Sequence, residues 1–202
     1  MPDQDVVLAV TSESWDMQKS MGIMWDNLLP AFQAGALAEN PSGLTALKKD
    51  LKSLALPVAK GSTSSSLSST YHGKKFRLAK NDFGAGQIHF KFLKDGCACT
   101  VKIAEEETTI KFGWENWLVN QDSKPYIFPV AGRIHMPSKI AGAATWLNDN
   151  TLQLNARFVE AVHGDKITCR FDGDNVFVSF LNSVAENTKD NPEKRTALTG
   201  TI

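Results

Sequence analysis

The chain has 202 residues, of which 42% are hydrophobic and 22% are charged, close to the average for globular proteins. Its 22 basic residues balance its 22 acidic ones, so no overall positive field favours nucleic acid or an anionic membrane as a partner. No stretch approaches the roughly 20 apolar residues of a membrane-spanning helix, so we predict no membrane insertion. The length suits one domain with an appendage, or two small domains.

The first ten residues combine two acidic side chains with a short apolar run. Asp3 and Asp5 stand where a signal peptide would be basic, so we predict no signal peptide and leave the localisation unknown. Residues 6–10 read VVLAV and are apolar throughout, with several β-branched side chains. Such a run predicts a strand that is covered on both faces.

Two amphipathic helices are predicted to follow this strand. Ser14 is the predicted N-cap of the first helix, and Pro41 opens the second, which ends before Pro57. In the first helix the apolar side chains recur at spacings of three and four: Met17, Met21, Met24, Trp25, Leu28 and Phe32. A lone strand followed by amphipathic helices cannot bury its own apolar faces, so residues 1–58 are predicted to need a partner surface.

The pattern of the chain changes after a polar segment. Residues 59–72 include the run GSTSSSLSST, which predicts a linker or a loosely held extended segment. In residues 73–187 the period becomes two, as in antiparallel strands with one face on a core. The apolar positions of these predicted strands are Phe76, Leu78, Ile88, Phe90, Phe92, Cys97, Cys99, Val101, Ile103, Ile110, Phe112, Leu152, Leu154, Ala156, Phe158, Ile167, Cys169, Phe171, Val176, Val178 and Phe180.

These alternating runs predict a mainly β fold, α+β overall, in which an antiparallel β-barrel of about eight strands follows the strand and two helices. A sandwich is the alternative. The barrel is favoured because sequential hairpins dominate and because closure removes exposed strand edges. The long segment between Val119 and Lys139 is predicted to be functional or to pack across one barrel end as a lid. Residues 188–202 are predicted to form a polar tail.

The sequence contains no recognisable catalytic machinery. No serine is followed three residues later by lysine, and no Gly-x-Ser-x-Gly elbow occurs, so we predict no catalytic residue. The three cysteines are predicted to be buried thiols with at most one cross-strand bridge. The four histidines are predicted to face solvent or lie in turns. No ligand spacing suits a metal, and neither a metal nor a cofactor is predicted.

One concentration of aromatic residues is the candidate ligand site. It consists of Trp114, Trp117, Tyr126, Phe128 and Trp146. These side chains could form the core of the barrel and its plug, or they could line a barrel mouth that binds a small apolar or planar ligand. Both interpretations stay open.

Two parts of the chain resemble a known family. The first reads VVLAVTSESWDMQKSMGIMWDNLLPAF, with LKKDLKSLALP after it. It resembles the closing strand and C-terminal helix of the β-lactamase-related serine hydrolases, the class C or penicillin-binding-protein-like group, with a Trp-x-x-Leu-Leu-Pro-like signature at Trp25, Leu28, Leu29 and Pro30. The second comprises GKKFRLAKNDFGAGQIHFKF, FGWENWLVN, TWLNDNTLQL and DKITCRFDGDNVFVSFLNSVA. It is similar to the lipocalin-like C-terminal domain of some bacterial members.

The resemblance implies a lipocalin-like barrel that belongs to the tail of a serine hydrolase, from a family that is often exported or periplasmic. The family's Ser-x-x-Lys helix, Tyr-x-Asn loop and Lys- or His-Thr-Gly strand do not occur here, so no catalytic residue is carried over. The leading hypothesis is therefore a non-catalytic accessory domain whose partner is the hydrolase core of a longer parent. The alternative is a small-molecule binding module. A third hypothesis is self-association through the first helix, at Met21, Trp25 and Leu28.

Overall fold

The structure is a computed structural model that describes residues 1–121, 128 and 139–202. The chain divides into two compact units, Met1–Pro57 and Val58–Ile202. This division lies next to the boundary predicted at residue 58.

The first unit contains helices α1 (Met17–Asn27) and α2 (Pro41–Ser53), with short 3-10 turns at Pro2–Gln4 and Leu29–Ala31. The N-cap of α1 is Asp16, whose Oδ1 accepts a hydrogen bond from the Lys19 amide at 2.8 Å. The prediction of Ser14 as the cap is therefore wrong, since that hydroxyl bonds to the Ser20 hydroxyl instead. No helix in the described part of the chain is long and apolar enough to cross a membrane.

The strand predicted at residues 6–10 is wrong. The segment has no regular secondary structure, and the Val7 side chain is 95% exposed. A strand is stabilised by hydrogen bonds to a neighbouring strand, and no strand among the described residues pairs with this segment. No side chain described in the first unit is buried, which leaves the apolar face of α1 exposed.

The second unit is a sheet with two short helices, α3 (Ser68–Tyr71) and α4 (Ser183–Asn187). Its strands are β1 (Lys75–Leu78), β2 (Ala85–Phe92), β3 (Gly96–Ile103), β4 (Glu106–Trp114), β5 (Leu118–Asn120), β6 (Ile140–Asn148), β7 (Thr151–Phe158), β8 (Gly164–Asp172), β9 (Asn175–Asn182) and β10 (Leu198–Thr201). The long connection after β5 lies largely outside the described residues, so the structure leaves the predicted lid untested.

The sheet closes into a barrel. Its order is β4-β3-β2-β1-β10-β9-β8-β7-β6-β5, and all neighbours in this order are antiparallel. A parallel pairing of β4 with β6, at Gly113↔Ala143 and Trp114↔Ala144, joins the two sides. Nine described strands thus form the ring, and β5 lies beside β6. The predicted antiparallel barrel is confirmed, and the sandwich is excluded because the ring closes.

Closure brings β6 very close to β4. A Cβ atom on Gly142 would meet the Lys111 carbonyl oxygen and the Phe112 ring, so only glycine permits this approach. Beside it, the Asn120 side chain donates to the Lys111 carbonyl at 2.9 Å and accepts from the Lys111 amide at 2.9 Å. This amide therefore satisfies backbone groups where the two strands diverge.

The core lies inside the ring and follows the predicted alternation. Ile88 and Phe90 on β2 point inward with Phe76 on β1, and all three are fully buried. At one end Tyr71 stacks on Phe171, with ring centroids 4.6 Å apart, and donates its hydroxyl to the Gly173 carbonyl. The linker predicted at residues 59–72 is therefore wrong, because α3 packs onto the barrel and Ser62 pairs with Trp146 on β6.

Three strands were not predicted from the sequence pattern: the three-residue β5, then β6 and β10. In β6 the residues between Ile140 and Trp146 are nearly all buried, on both faces, so polar residues do not alternate with apolar ones. The polar tail predicted for residues 188–202 is wrong at its end, where β10 inserts between β1 and β9. Leu198 pairs with Val178 and Gly200 with Leu78. Without β10, the edges of β1 and β9 would be open. Residues 198–201 therefore form a strand because their backbone pairs with both of these strands.

Candidate functional site

The predicted aromatic site is divided between the two ends of the barrel. Trp114 and Trp146 lie at the end that carries the turns at residues 93–95, 149–150 and 173–174, here called the Trp146 end. Phe128 lies at the opposite end, here called the Arg195 end. Trp117 follows β4 and is half-buried, outside the lining of the cavity described below. Tyr126 lies outside the described residues.

The Trp146 end contains a cavity of about 330 Å³, called the Trp146 cavity. It combines aromatic rings, hydroxyl groups and one ammonium group. Its lining residues are Thr63, Ser64, Ser68, Phe92, Leu93, Lys94, Trp114 and Trp146. No carboxylate is among these residues.

Trp146 forms the buried floor of this cavity. Its side chain is 1% exposed, and its ring lies 5.3 Å from Phe92 and 5.8 Å from Phe171 between centroids. The backbone of Trp146 exchanges two hydrogen bonds with Ser62, at 2.8 and 2.9 Å. The indole Nε1 has no hydrogen-bond partner among the described residues. A buried donor without an acceptor costs about 1–3 kcal/mol, so this group needs an explanation.

Trp114 forms the rim of the same cavity. Its indole Nε1 donates to the Leu93 carbonyl at 3.0 Å, and its backbone amide donates to the Asp95 carbonyl at 3.2 Å. Both contacts tie the end of β4 to the turn between β2 and β3. The half-buried ring is thus held in one orientation with part of its surface open, as expected of a rigid binding surface.

The hydroxyl wall comes from the Ser/Thr-rich segment. The Ser65 hydroxyl donates to the Asp149 carbonyl at 2.5 Å and accepts from the Leu67 amide, and the Ser68 hydroxyl donates to the Ser65 carbonyl. These bonds fix the segment against the turn between β6 and β7. In the part of the chain that the structure describes, the Thr63 and Ser64 hydroxyls have no hydrogen-bond partner.

Gly61 permits this segment to reach the barrel. A Cβ atom at position 61 would overlap the Trp146 carbonyl oxygen and the Thr145 hydroxyl. Glycine is therefore required where the segment crosses β6. The local Ser/Thr composition is typical of a linker and gives no sign of this wall, because Ser65 and its partner in the turn after β6 are 84 residues apart in sequence.

A second cavity of about 430 Å³ adjoins the first. It is lined by Ser68, Ser69, His72 and Phe92, so Ser68 and Phe92 belong to both cavities. The His72 Nδ1 accepts from the Phe92 amide at 3.2 Å, which places the proton of the neutral ring on Nε2. Because they share two lining residues, the two cavities are neighbours, and together they are called the Trp146 cleft.

At the Arg195 end three rings fill the barrel. Phe128 is fully buried and lies 5.7 Å from Phe83 and 4.8 Å from Phe180 between ring centroids. Grouping Phe128 with the tryptophans in one ligand site is therefore wrong, because its ring fills the opposite end. The interpretation as core and plug describes Phe128, and the interpretation as a cavity lining describes Trp114 and Trp146.

Arg195 is buried beside this cluster, and every N–H group of its guanidinium donates a hydrogen bond. Its guanidinium donates to both Asp165 oxygens at 2.7 Å, to both Glu193 oxygens at 2.9 and 2.7 Å, and to the Phe128 carbonyl at 3.1 Å. Burial acts to lower the pKa of Arg195, but the hydrogen bonds to Glu193 and Asp165 outweigh it and raise the pKa. All five N–H groups are used, so this arginine has no donor left for a ligand.

The cysteines are buried and therefore unreactive as nucleophiles, and no metal centre is found among the described residues. Cys97, Cys99 and Cys169 are free thiols in the core, and burial raises the pKa of Cys99 to about 12. Among the residues in view, no three His, Cys, Asp or Glu side chains are grouped so that they could hold a metal ion. His89 was predicted to face solvent and is buried instead, and this burial lowers its pKa.

Comparison with known proteins assigns this chain to no family. No family model matches the chain, and no curated protein matches it. Among solved structures, it is similar to a fatty acid-binding protein from brain tissue of Drosophila melanogaster. The TM-score is 0.45 at 10% identity, over 65% of this chain and 99% of that one. At these values the likeness identifies neither a family nor a ligand for this chain.

Proposed function

We propose that the barrel unit is a small-molecule binding module whose ligand occupies the Trp146 cavity. One observation carries this proposal: a buried indole N–H without an acceptor lies in a residue that forms the floor of an aromatic cavity. A ligand that supplies an acceptor would remove the cost of this unpaired donor. Ligand pockets commonly combine apolar walls with a few polar groups that orient the ligand.

The size and construction of the cavity support the proposal. Its volume of about 330 Å³ lies at the lower end of the roughly 300–1,000 Å³ range of small-molecule sites. Trp114 is held in place by its bond to Leu93, and the hydroxyl wall is held by Ser65. A wall that is already ordered loses little conformational entropy when a ligand binds.

The test is a titration of the full chain with fatty acids, haem, hydrophobic dyes and sugars, followed by the amide and indole ¹⁵N–¹H resonances. We expect saturable shifts of the Trp146 indole signal with at least one class of ligand. Trp114→Ala should weaken that binding by about tenfold or more, because it removes a fixed aromatic contact. Trp15→Phe, in the first unit, is the control and should leave the affinity unchanged. If no compound shifts a resonance of the cavity, the proposal fails.

The accessory-domain hypothesis is a second candidate, and exposed apolar side chains of the first unit favour it. Met21, Trp25 and Leu28 on or beside α1 are each about 40% exposed, and Leu47 and Leu51 on α2 are more than half exposed. Such surfaces are usually covered by a partner. We propose the hydrolase core of a longer parent as that partner.

Two measurements test this second candidate. Nitrocefin and p-nitrophenyl esters should show no turnover above buffer with this chain, and serine-dependent turnover would contradict an accessory role. Light scattering should find a monomer. A dimer that Trp25→Glu dissociates would assign the α1 face to a second copy of the chain and exclude the hydrolase core from that face.

A further inference from the structure

We infer that the ligand of the Trp146 cleft is a saccharide, and specifically a chain of at least two linked sugar rings. This inference rests on the proposed function and names the class of its ligand. It comes from three properties of the cleft: the hydroxyl groups of its wall, the aromatic surface at its rim, and the two lining residues that its cavities share.

The hydroxyl groups of the wall argue against a purely apolar ligand. Thr63 and Ser64 have hydroxyls without partners among the described residues, and the Ser68 hydroxyl can still accept a hydrogen bond. An alkyl chain or hydrophobic dye would bury the exposed Thr63 and Ser64 hydroxyls without pairing them, at about 1–3 kcal/mol for each hydroxyl. Sugar hydroxyls both donate and accept, so they can pair with every one of them.

The aromatic surface suits the other side of a sugar ring. The half-buried rings of Trp114 and Phe92 offer faces that carry negative partial charge. The C–H face of a pyranose carries positive partial charge and is apolar, so it can lie on such a ring. One wall of the cavity is thus aromatic and another is lined with hydroxyls, which matches the two kinds of surface on a sugar.

The positive charge of Lys94 narrows the class of saccharide further. Lys94 is the charged residue in the lining, and its ammonium group has no ion partner among the residues that the structure describes. A protonated amino sugar would be repelled by it. A neutral or acidic saccharide is accommodated.

The two neighbouring cavities offer space for more than one sugar ring. The first cavity measures about 330 Å³ and the second about 430 Å³, and Ser68 and Phe92 line both. The second cavity adds the Ser69 hydroxyl and the imidazole of His72. Two linked rings would therefore find hydroxyl partners and an aromatic edge in each half. Contacts with a second ring should strengthen binding by tenfold or more over a single ring, because each ring contributes its own contacts.

The experiment begins with the labelled full chain on a glycan array and continues by titration of the captured sugars in solution. We expect a neutral or acidic oligosaccharide to shift the Trp146 indole resonance in a saturable way. Its disaccharide should bind at least tenfold more tightly than its monosaccharide. A Thr63→Val/Ser64→Ala variant should lose about three- to thirtyfold in affinity, as expected for two hydrogen bonds. Thr199→Val, on the outer face of β10, is the matched control and should bind as the wild type does.

The outcomes separate the two proposals. If fatty acids or hydrophobic dyes shift the Trp146 resonance and no glycan does, the saccharide inference is overturned and the proposed function stands. If neither class binds, both fail. Binding of a glycan without any change at Trp146, or with equal affinity in the Thr63→Val/Ser64→Ala variant, would place the sugar elsewhere and overturn the inference.

Discussion

Arg195 is buried beside two carboxylates, and every N–H of its guanidinium group has an acceptor. Asp165 is completely buried and contributes both oxygens to this arginine. Removing a charge from water is costly, and the cost is offset only when the partners and their geometry are complete. The network therefore ties residues 193–195, which precede β10, to the interior face of β8.

Replacing Arg195 tests this network. Arg195→Met should lower the free energy of unfolding by about 3–5 kcal/mol, because it removes the guanidinium that pairs with both oxygens of the buried Asp165 carboxylate. Urea denaturation measures the change. Arg170→Met is the control, since the pair Arg170–Asp172 is largely exposed and such pairs contribute about 0–1 kcal/mol. Equal losses in the two variants would contradict a special role for the buried network.

Glu193 makes the same network sensitive to acid. Hydrogen bonds from Arg195 hold the pKa of Glu193 well below its ordinary value of 4.5, although burial acts in the opposite direction. A depressed pKa in the folded state means that the stabilisation is present above pH 4.5 and is lost as the pH falls below that value. The free energy of unfolding of the wild type should therefore fall more steeply below pH 4.5 than that of Glu193→Gln. Parallel pH profiles from urea denaturation would show that Glu193 has no part in acid sensitivity.

At the scale of single elements, the short strand β10 completes the ring of the barrel. It has four residues and provides the pairing for both β1 and β9, which do not pair with each other. Its side chains alternate between the core and solvent, with Leu198 buried and Thr199 exposed. The composition of this segment predicts a polar tail, but backbone hydrogen bonds to two neighbouring strands make it a strand.

Truncating the inward side chain of β10 tests its contribution. Leu198→Ala should destabilise the barrel by about 2–5 kcal/mol, because the side chain is 2% exposed and its removal leaves a cavity. Thr199→Ala, on the next residue, should change stability by no more than about 0.5 kcal/mol. Thermal or urea denaturation gives both values. Similar losses in the two variants would mean that β10 contributes through its backbone alone.

At the scale of the whole molecule, the second unit contains the hydrophobic core. Every residue of the hydrophobic core cluster in the described part of the chain lies between Tyr71 and Leu198. A unit with its own core can fold alone. We expect the fragment of residues 58–202 to keep the near-ultraviolet circular dichroism of the barrel and a cooperative thermal transition.

The boundaries predicted from sequence supply the control for that fragment. Residues 73–187 omit Tyr71, which stacks on Phe171, and also Arg195 and all of β10. This shorter fragment should lose the cooperative transition or melt far below the longer one. If the two fragments were equally stable, neither the hydroxyl wall with α3 nor the C-terminal strand would be part of the folding unit.

Much of the fold follows from local pattern. The alternation in β2, β3, β7, β8 and β9 identifies which side chains face the core, because side chains in a strand point to opposite faces in turn. Both helices of the first unit are where the spacing of apolar residues and the Pro41 signal place them. The strand expected at residues 6–10 is absent because β-branched residues favour a strand only where another strand pairs with it.

The candidate site was only partly predictable. Trp114 and Trp146 were identified from their residue type, since large aromatic side chains are common in binding sites. Phe128 was grouped with them by nearness in sequence to Trp114, yet its ring fills the far end of the barrel. The hydroxyl wall at Thr63 and Ser64 had no signal beyond a polar composition that is also typical of linkers.

Taken alone, the sequence determined the helices of the first unit, the inward faces of most strands and the antiparallel hairpins, because these depend on residues close together in the chain. The tertiary structure alone decided three features: closure of β4 on β6, insertion of β10, and placement of the Ser/Thr-rich segment beside Trp146. Each of these is a backbone contact between segments far apart in sequence. Backbone hydrogen-bonding groups are the same in nearly every residue, so the amino-acid sequence carries no local pattern for such contacts.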